Sequence, residues 1–209
     1  MLFWTVIACL WGAYMIGSVP TAVWIGKWFH GIDVRDHGSG NAGATNTIRV
    51  LGFKTGIPVL VIDGLKGYCA VWVASLTGLF VQGSDAYINF QLSMGVSAVL
   101  GHLFPLYAGF RGGKGVATLF GVVIALYPLS FLIVAGVFAL VLLLTRFVSL
   151  SSITAAIAFP FVSVFVAGID TQSLILFTII IAVFIPLTHQ KNILRLIKGE
   201  ESKMVFRKK

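Results

Sequence analysis

Long apolar runs, broken by short polar stretches of which alternate ones carry nearly all the positive charge, leave this chain few folds to adopt. Stretches near 2–25, 56–80 and 87–107 are each long enough for a helix to cross a hydrocarbon core, which takes roughly 20 residues. From 115 to 187 the apolar sequence is interrupted at Tyr127-Pro128, between Arg146 and Ser152, and between Gly168 and Gln172, which leaves segments near 115–127, 129–145, 153–168 and 172–187. Lipid offers no partner to a bare backbone N–H or C=O, so such runs predict helices. The expectation is an all-α integral membrane protein with seven transmembrane helices, several of them short enough to require local thinning or partial crossing. Composition supports this class: 58% of the residues are hydrophobic and 11% charged, against about a quarter charged in soluble domains.

Orientation follows from Lys and Arg. With seven spans, one side holds 26–55, 108–114, 146–152 and 188–209, and these carry every Lys and Arg of the chain's 15 except Lys66. The opposite breaks carry Asp85 and Asp170 instead. The positive-inside rule then places the N-terminus outside and the C-terminus in the cytoplasm. The net charge of +8 is therefore read as topology and not as a nucleic-acid surface, which would need a basic stripe on a soluble face. The N-terminus has no positive n-region and runs apolar for more than twenty residues, as a first transmembrane helix does and a cleaved signal peptide does not. Cys9 and Cys69 lie inside apolar segments without metal-ligand spacing and read as packing residues. No internal repeat is visible, so a single transmembrane domain over 1–209 is expected; its last ~20 residues read as a basic amphipathic tail along anionic lipid, with 201–209 peripheral or mobile.

Three polar stretches stand out, and all fall on the expected cytoplasmic face. The first runs from His37 to Arg49: Gly38, Gly40 and Gly43 permit tight turns, Ser39, Asn41, Thr45, Asn46 and Thr47 supply hydrogen-bonding groups, and Arg49 ends it with a planar fork suited to carboxylate or phosphate. The second, Phe110-Arg-Gly-Gly-Lys-Gly-Val-Ala-Thr118, opens a helix. Glycines and Lys114 at a helix N-terminus make a phosphate cradle, though not a Walker A loop, since Ala108 and Gly115 stand where Gly and Ser/Thr belong. The third opens the tail: His189 and Asn192 share a helical face. Each has a plainer reading as a solvated loop or tail helix; it is their convergence on one face that favours a site. Within the second span, Asp63 and Lys66 form an i,i+3 pair that reads equally as a self-neutralised brace or as part of a polar cavity, and Gly64 and Gly67 beside them permit close helix packing.

Taken together, Gly38-Ser-Gly-Asn-Ala-Gly-Ala-Thr-Asn46 with Arg49, Gly112-Gly-Lys-Gly-Val-Ala-Thr118, and His189-x-x-Asn-Ile-x-Arg195 ending in Gly-Glu200 closely resemble the three motifs of the bacterial acyl-phosphate glycerol-3-phosphate acyltransferases. Asp63-x-x-Lys-Gly67, Gly101-His-x-x-Pro105 and Val148-Ser-Leu-Ser-Ser152 extend the resemblance over about 16–200. It implies a seven-helix enzyme of the bacterial inner membrane, with its active site on the cytoplasmic side. Such an enzyme moves a fatty acyl group from acyl phosphate to the sn-1 hydroxyl of glycerol 3-phosphate, giving lysophosphatidic acid and phosphate, the first step of phospholipid synthesis. It implies catalytic roles for Ser39, Arg49 and Lys114, and substrate binding by Asn41, Gly112, Gly113, Gly115, Ser152, His189 and Asn192. Glu200 is implied as a structural tie, with Asp63 and Lys66 structural near the site. The expected partners are the two substrates and membrane lipids, the protein acting as a monomer without cofactor or metal.

The residues suit that chemistry. No His/Asp/Glu/Cys cluster has metal-ligand spacing, no His is followed five residues later by Asp, and no Gly-x-Ser-x-Gly elbow occurs. Acyl phosphate is already a mixed anhydride, so alignment and charge neutralisation can supply much of the catalysis. Direct attack by the glycerol hydroxyl is the favoured route; an acyl-Ser39 or acyl-Ser152 activated by His189 is the rival. A small organic-anion transporter is the alternative class, but it should show inverted repeats and polar groups reaching both faces.

Overall fold

The computed structural model describes residues 1–205, and every regular element among them is helical. Two compact units emerge, Met1–Leu126 and Tyr127–Lys209. Phe206 to Lys209, the end of the expected lipid-facing tail, lie outside the described residues.

The first unit contains α1 (Leu2–Ser18), α2 (Thr21–His30), α3 (Ala44–Leu51), α4 (Phe53–Leu76), α5 (Asp85–Leu103) and α6 (Val116–Leu126). Pro20, which lacks the N–H that would continue the ladder, separates α1 from α2 inside what reads as one apolar run. Small residues set the packing. A Cβ on Gly67 would run into the Thr118 carbonyl, and one on Gly121 into the Gly64 carbonyl, so α4 and α6 meet backbone to backbone. Gly17 lies in the same way against Ala98, which joins α1 to α5. Gly67→Ala should therefore cost about 1–3 kcal/mol by overpacking. Gly136→Ala, where nothing lies within 4 Å of the new methyl, should be neutral or gain up to about 1 kcal/mol. Thermal unfolding of the two variants in detergent checks the contrast.

The second unit contains α7 (Pro128–Thr145), α8 (Val148–Phe161) running into a π turn at Val162–Val166, α9 (Gln172–Thr188) and α10 (Gln190–Ile197). Tyr127 is its anchor: its ring meets Phe159 edge-on at 5.1 Å and stacks on Phe177 at 6.4 Å, and its hydroxyl donates to the Leu174 carbonyl at 2.9 Å. A hydroxyl buried in apolar surroundings needs such a partner. Leu143 and Leu144 on α7 are exposed, as a lipid-facing surface requires.

Helices occupy all seven expected segments. Length and apolarity qualify four of them to cross a membrane: Leu2–His30 taken through its break, Phe53–Leu76, Pro128–Thr145 and Val148–Val166. A fifth qualifies if Gln172–Thr188 and Gln190–Ile197, bent by 60°, count together. The helix expected over 115–127 has 11 residues, about 16 Å at 1.5 Å per residue and roughly half a hydrocarbon core. Expected ends also move: the span foreseen at 56–80 is Phe53–Leu76, and the one at 153–168 begins at Val148.

Candidate functional site

In the first unit, the polar stretch after α2 is built on two side chains that sequence reasoning did not single out. Asp33 caps the short 3-10 turn Val34–Asp36 by accepting from the Arg35 N–H at 3.0 Å. The Arg35 guanidinium returns to both Asp33 oxygens at 3.0 and 2.7 Å, and Lys27 Nζ lies 3.3 Å from the same carboxylate. The hydrogen bonds from Arg35 hold the Asp33 carboxyl well below the usual carboxylate range, and the same contact raises the guanidinium's pKa. Arg35 Nη1 also donates to the Ala108 and Arg111 carbonyls at 2.8 and 3.2 Å. Arg35 is thus a clamp that fastens the first polar stretch to the segment leading into the glycine loop.

Asn46 organises the rest of that stretch. Its side chain is 1% exposed; Oδ1 accepts from the Ser39 N–H at 2.8 Å and Ser39 Oγ at 3.1 Å, and Nδ2 donates to the carbonyls of Val34 at 2.8 Å and His37 at 3.1 Å. Gly38, at φ 61°, must be glycine, because a Cβ there would strike Asn46 Oδ1. Ser39 is exposed and aimed by this amide. Arg49, on the last turn of α3, is exposed and has no ion pair or hydrogen bond to its side chain among the described residues, and the Asn41 carboxamide is likewise unpartnered.

The glycine loop departs from expectation in one respect. The N–H groups of Gly112 and Gly113, expected free for an anion, donate to the Leu103 and His102 carbonyls at 3.2 Å each, so the loop is laced to the end of α5. The α5 end, no longer continued by its own helix, gains donors for its last carbonyls. A Cβ on Gly113 would meet the His102 ring and, at 2.8 Å, the Ala42 carbonyl, so the loop touches the first polar stretch. Lys114 follows, half-buried, then Gly115 at φ 78° and α6. Beneath the loop Asp63 and Lys66 pair at 2.5 Å, Lys66 Nζ also donates to the Val19 carbonyl, and His102 Nδ1 lies 3.9 Å from Asp63. The fold thus brings Gly112, Gly113, Asp63 and Lys66 around one cleft that Ala42 also lines.

In the second unit, Ser152 is buried and donates to the Val148 carbonyl at 2.9 Å, within its own helix. His189 is buried, with Nδ1 2.8 Å from the Ile185 carbonyl. The expected tie at Glu200 is made one residue later. Glu200 is exposed, whereas Glu201 accepts from Ser149 Oγ at 2.7 Å, Asn192 Nδ2 at 2.6 Å and Arg195 Nε at 2.8 Å. The tail expected to be loose from 201 is held further by the Met204 N–H on the Arg146 carbonyl at 2.7 Å and by Lys203 over the Phe147 ring. Gly199, at φ 72°, reverses the chain so that Glu201 faces α10 and α8. Burial pushes the Glu201 carboxyl up, but the bonds from Asn192, Ser149 and Arg195 together outweigh it and hold it low. A depressed carboxyl contributes stability well above its ordinary value of 4.5 and loses it as the pH falls through and below that value. Glu201→Ala should cost about 1–3 kcal/mol by removing the acceptor that Ser149, Asn192 and Arg195 share. Glu200→Ala should be neutral; unfolding of both at pH 7 is the check.

The chain matches the model of the glycerol-3-phosphate acyltransferase family over residues 7–199. It is 43% identical over 213 residues to the glycerol-3-phosphate acyltransferase of Salinibacter ruber, covering 96% of this chain and 93% of that protein, and 45% identical over 193 residues to that of Fusobacterium nucleatum, covering 92% and 95%. Among solved structures it is similar to PlsY, an integral membrane glycerol 3-phosphate acyltransferase, in its glycerol 3-phosphate form (TM-score 0.84, 37% identity, 96% of each chain) and its lysophosphatidic acid form (TM-score 0.80, 36% identity, 96% of each chain).

Proposed function

From the premise that this chain belongs to the glycerol-3-phosphate acyltransferase family, we propose that it transfers a fatty acyl group from acyl phosphate to the sn-1 hydroxyl of glycerol 3-phosphate. The observation that carries the reading onto these residues is Arg49. This exposed guanidinium has no side-chain partner among the described residues and sits beside a stretch whose backbone and Ser39 are fixed by Asn46. A preorganised fork of this kind suits a phosphate dianion. Lys114, ending the glycine loop, supplies a second cation, and Asn41 a neutral donor and acceptor. Gly112 and Gly113 serve by letting the loop lie against α5, which leaves Lys114 and Gly115 as the anion-facing part of that loop.

The reaction proceeds by direct transfer. The glycerol C1 oxygen attacks the acyl carbonyl carbon, the bond from that carbon to the phosphate oxygen breaks, and the departing phosphate takes the hydroxyl proton. Arg49 and Lys114 neutralise the charge that develops. What supports this over an acyl-enzyme is that the Ser39 hydroxyl donates to an amide oxygen and the Ser152 hydroxyl to a helix carbonyl, neither to a histidine base. Incubation with labelled acyl phosphate and no glycerol phosphate should leave the protein unlabelled; a stable acyl-serine would overturn direct transfer. In the second unit, Ser152, His189 and Asn192 are kept as substrate-binding groups, each tested by its own alanine variant.

The membrane topology belongs to the same proposal: seven crossings, the short α6 included, with the N-terminus outside and the basic loops in the cytoplasm of a bacterial inner membrane, the protein acting as a monomer. It rests on the Lys and Arg distribution. Acyl transfer by protein purified in detergent, where no gradient exists, tests the function. Turnover with acyl phosphate but not with acyl thioesters is the expected result; turnover with thioesters would overturn the donor, and only the absence of acyl transfer from either donor would favour an organic-anion transporter.

A further inference from the structure

The cleft under the glycine loop has a chemistry that anion binding does not use. It measures about 10 Å³, the room of one water-sized group. Asp63 and Lys66 line it, 1% and 5% exposed, and neutralise one another at 2.5 Å. It is therefore too small and too nearly neutral for a phosphate. Lys66 gives two of its three N–H donors to Asp63 Oδ1 and the Val19 carbonyl. Thr21, at the start of α2, lines the same cleft; it is 5% exposed, and its Oγ1 has no hydrogen-bond partner among the described residues. A buried hydroxyl without a partner is unfavourable, so a built site of this kind points to a ligand. His102 and Gly113 close the side toward the glycine loop.

We infer that this cleft is a hydroxyl site: it takes one neutral O–H group that accepts from Lys66 Nζ and hydrogen-bonds to Thr21 Oγ1. Two sources share that chemistry, a water molecule and the free C2 hydroxyl of glycerol 3-phosphate. The second rests on the substrate proposed above and would make the cleft the point at which the enzyme distinguishes glycerol phosphate from a simpler diol phosphate. Asp63 and Lys66, read from sequence as a brace or as part of a polar cavity, then do both: they brace each other and present one donor to the ligand.

The test is Thr21→Val, which keeps the side-chain shape and removes the hydroxyl, with Thr21→Ser as the variant that retains it. Purified protein in detergent is assayed with glycerol 3-phosphate and with propane-1,3-diol monophosphate, which lacks the C2 hydroxyl, and its melting temperature is measured without substrate. If the substrate hydroxyl occupies the cleft, Thr21→Val lowers kcat/KM for glycerol 3-phosphate about five- to tenfold, as loss of one hydrogen bond does. It then leaves the diol phosphate unaffected. If water occupies it, Thr21→Val lowers the melting temperature and affects both substrates alike. Unchanged or higher stability with unchanged kinetics overturns the site, as does a Thr21→Ser variant that behaves like valine. Should Thr21→Val fail to accumulate, Thr21→Cys, a weak hydrogen-bonding group of similar size, takes its place. Failure of the wild-type protein to acylate glycerol phosphate would remove the functional reading while the melting temperatures still decide the hydroxyl site.

Discussion

Asn46→Asp should all but abolish acyl transfer, although Asn46 need not touch a substrate. The carboxylate would keep an acceptor for Ser39 but would turn the second oxygen, in place of an N–H donor pair, toward the Val34 and His37 carbonyls. Two lost donors, acceptor facing acceptor, and a charge where the native side chain is 1% exposed together cost at least about 3 kcal/mol. Because the Asn46 side chain bonds to Ser39, Val34 and His37, all in the stretch before α3, that penalty falls on the loop that aims Ser39 before it falls on the packed helices. The expected result is a fall of more than about 100-fold in kcat/KM, with helix content by circular dichroism retained. Asn46→Ala, which leaves the Val34 and His37 carbonyls and the Ser39 N–H unpaired but adds no charge and no opposed acceptor, should fall between wild type and Asn46→Asp. An Asn46→Asp enzyme with near-normal turnover would show that Ser39 and its loop are not held by this amide.

Arg49→Ala and Lys114→Ala come next, each expected to lose at least about 2–3 kcal/mol in kcat/KM, which is roughly 30- to 150-fold. The two need not fail in the same way. A guanidinium that only binds ground-state phosphate raises KM and leaves kcat alone, whereas a cation that neutralises charge on the departing phosphate lowers kcat. Arg49→Lys should restore little if the fork is bidentate, because an ammonium cannot reproduce two parallel N–H donors. Near-normal turnover in either alanine variant would remove that residue from the site. Arg35 is the useful contrast: equally basic and close in sequence to Arg49, it is occupied by Asp33 and two carbonyls, so its replacement should loosen the loop and not remove a phosphate contact.

Some of the molecule is legible in the order of its residues alone. The helices are, because hydrocarbon tolerates no other arrangement of an apolar run, and so is close packing at Gly64 and Gly67, because a small-residue face on an apolar helix has little other use. The Asp63–Lys66 pair is also local: three residues apart on one helix, the two can reach each other whatever the rest of the chain does. Other features are hidden because their partners are remote. The motif resemblance singles out Asn41 and Arg49, but the tying roles of Asn46 and Arg35 do not show until residues up to 76 positions away are brought alongside. Glu201 cannot be preferred to Glu200 from the residues alone, since the turn at Gly199 decides which of two adjacent carboxylates meets Ser149 and Asn192. A glycine loop at a helix start looks like an open anion cradle, and only the end of α5 shows that the Gly112 and Gly113 N–H groups are already engaged.

The order of residues is thus enough to specify the class of fold, the family, and the polar stretches to which the proposed chemistry is assigned, because each depends on residues near one another in the chain or on the solvent the chain must suit. Which members of those stretches are held and which are left to act is settled only when distant helices pack. The reason is physical necessity: a buried polar group must find a partner, the partner is set by packing between remote segments, and a group such as Arg49 is exposed and left by that packing without one among the described residues, which is why the proposed phosphate contact falls to it.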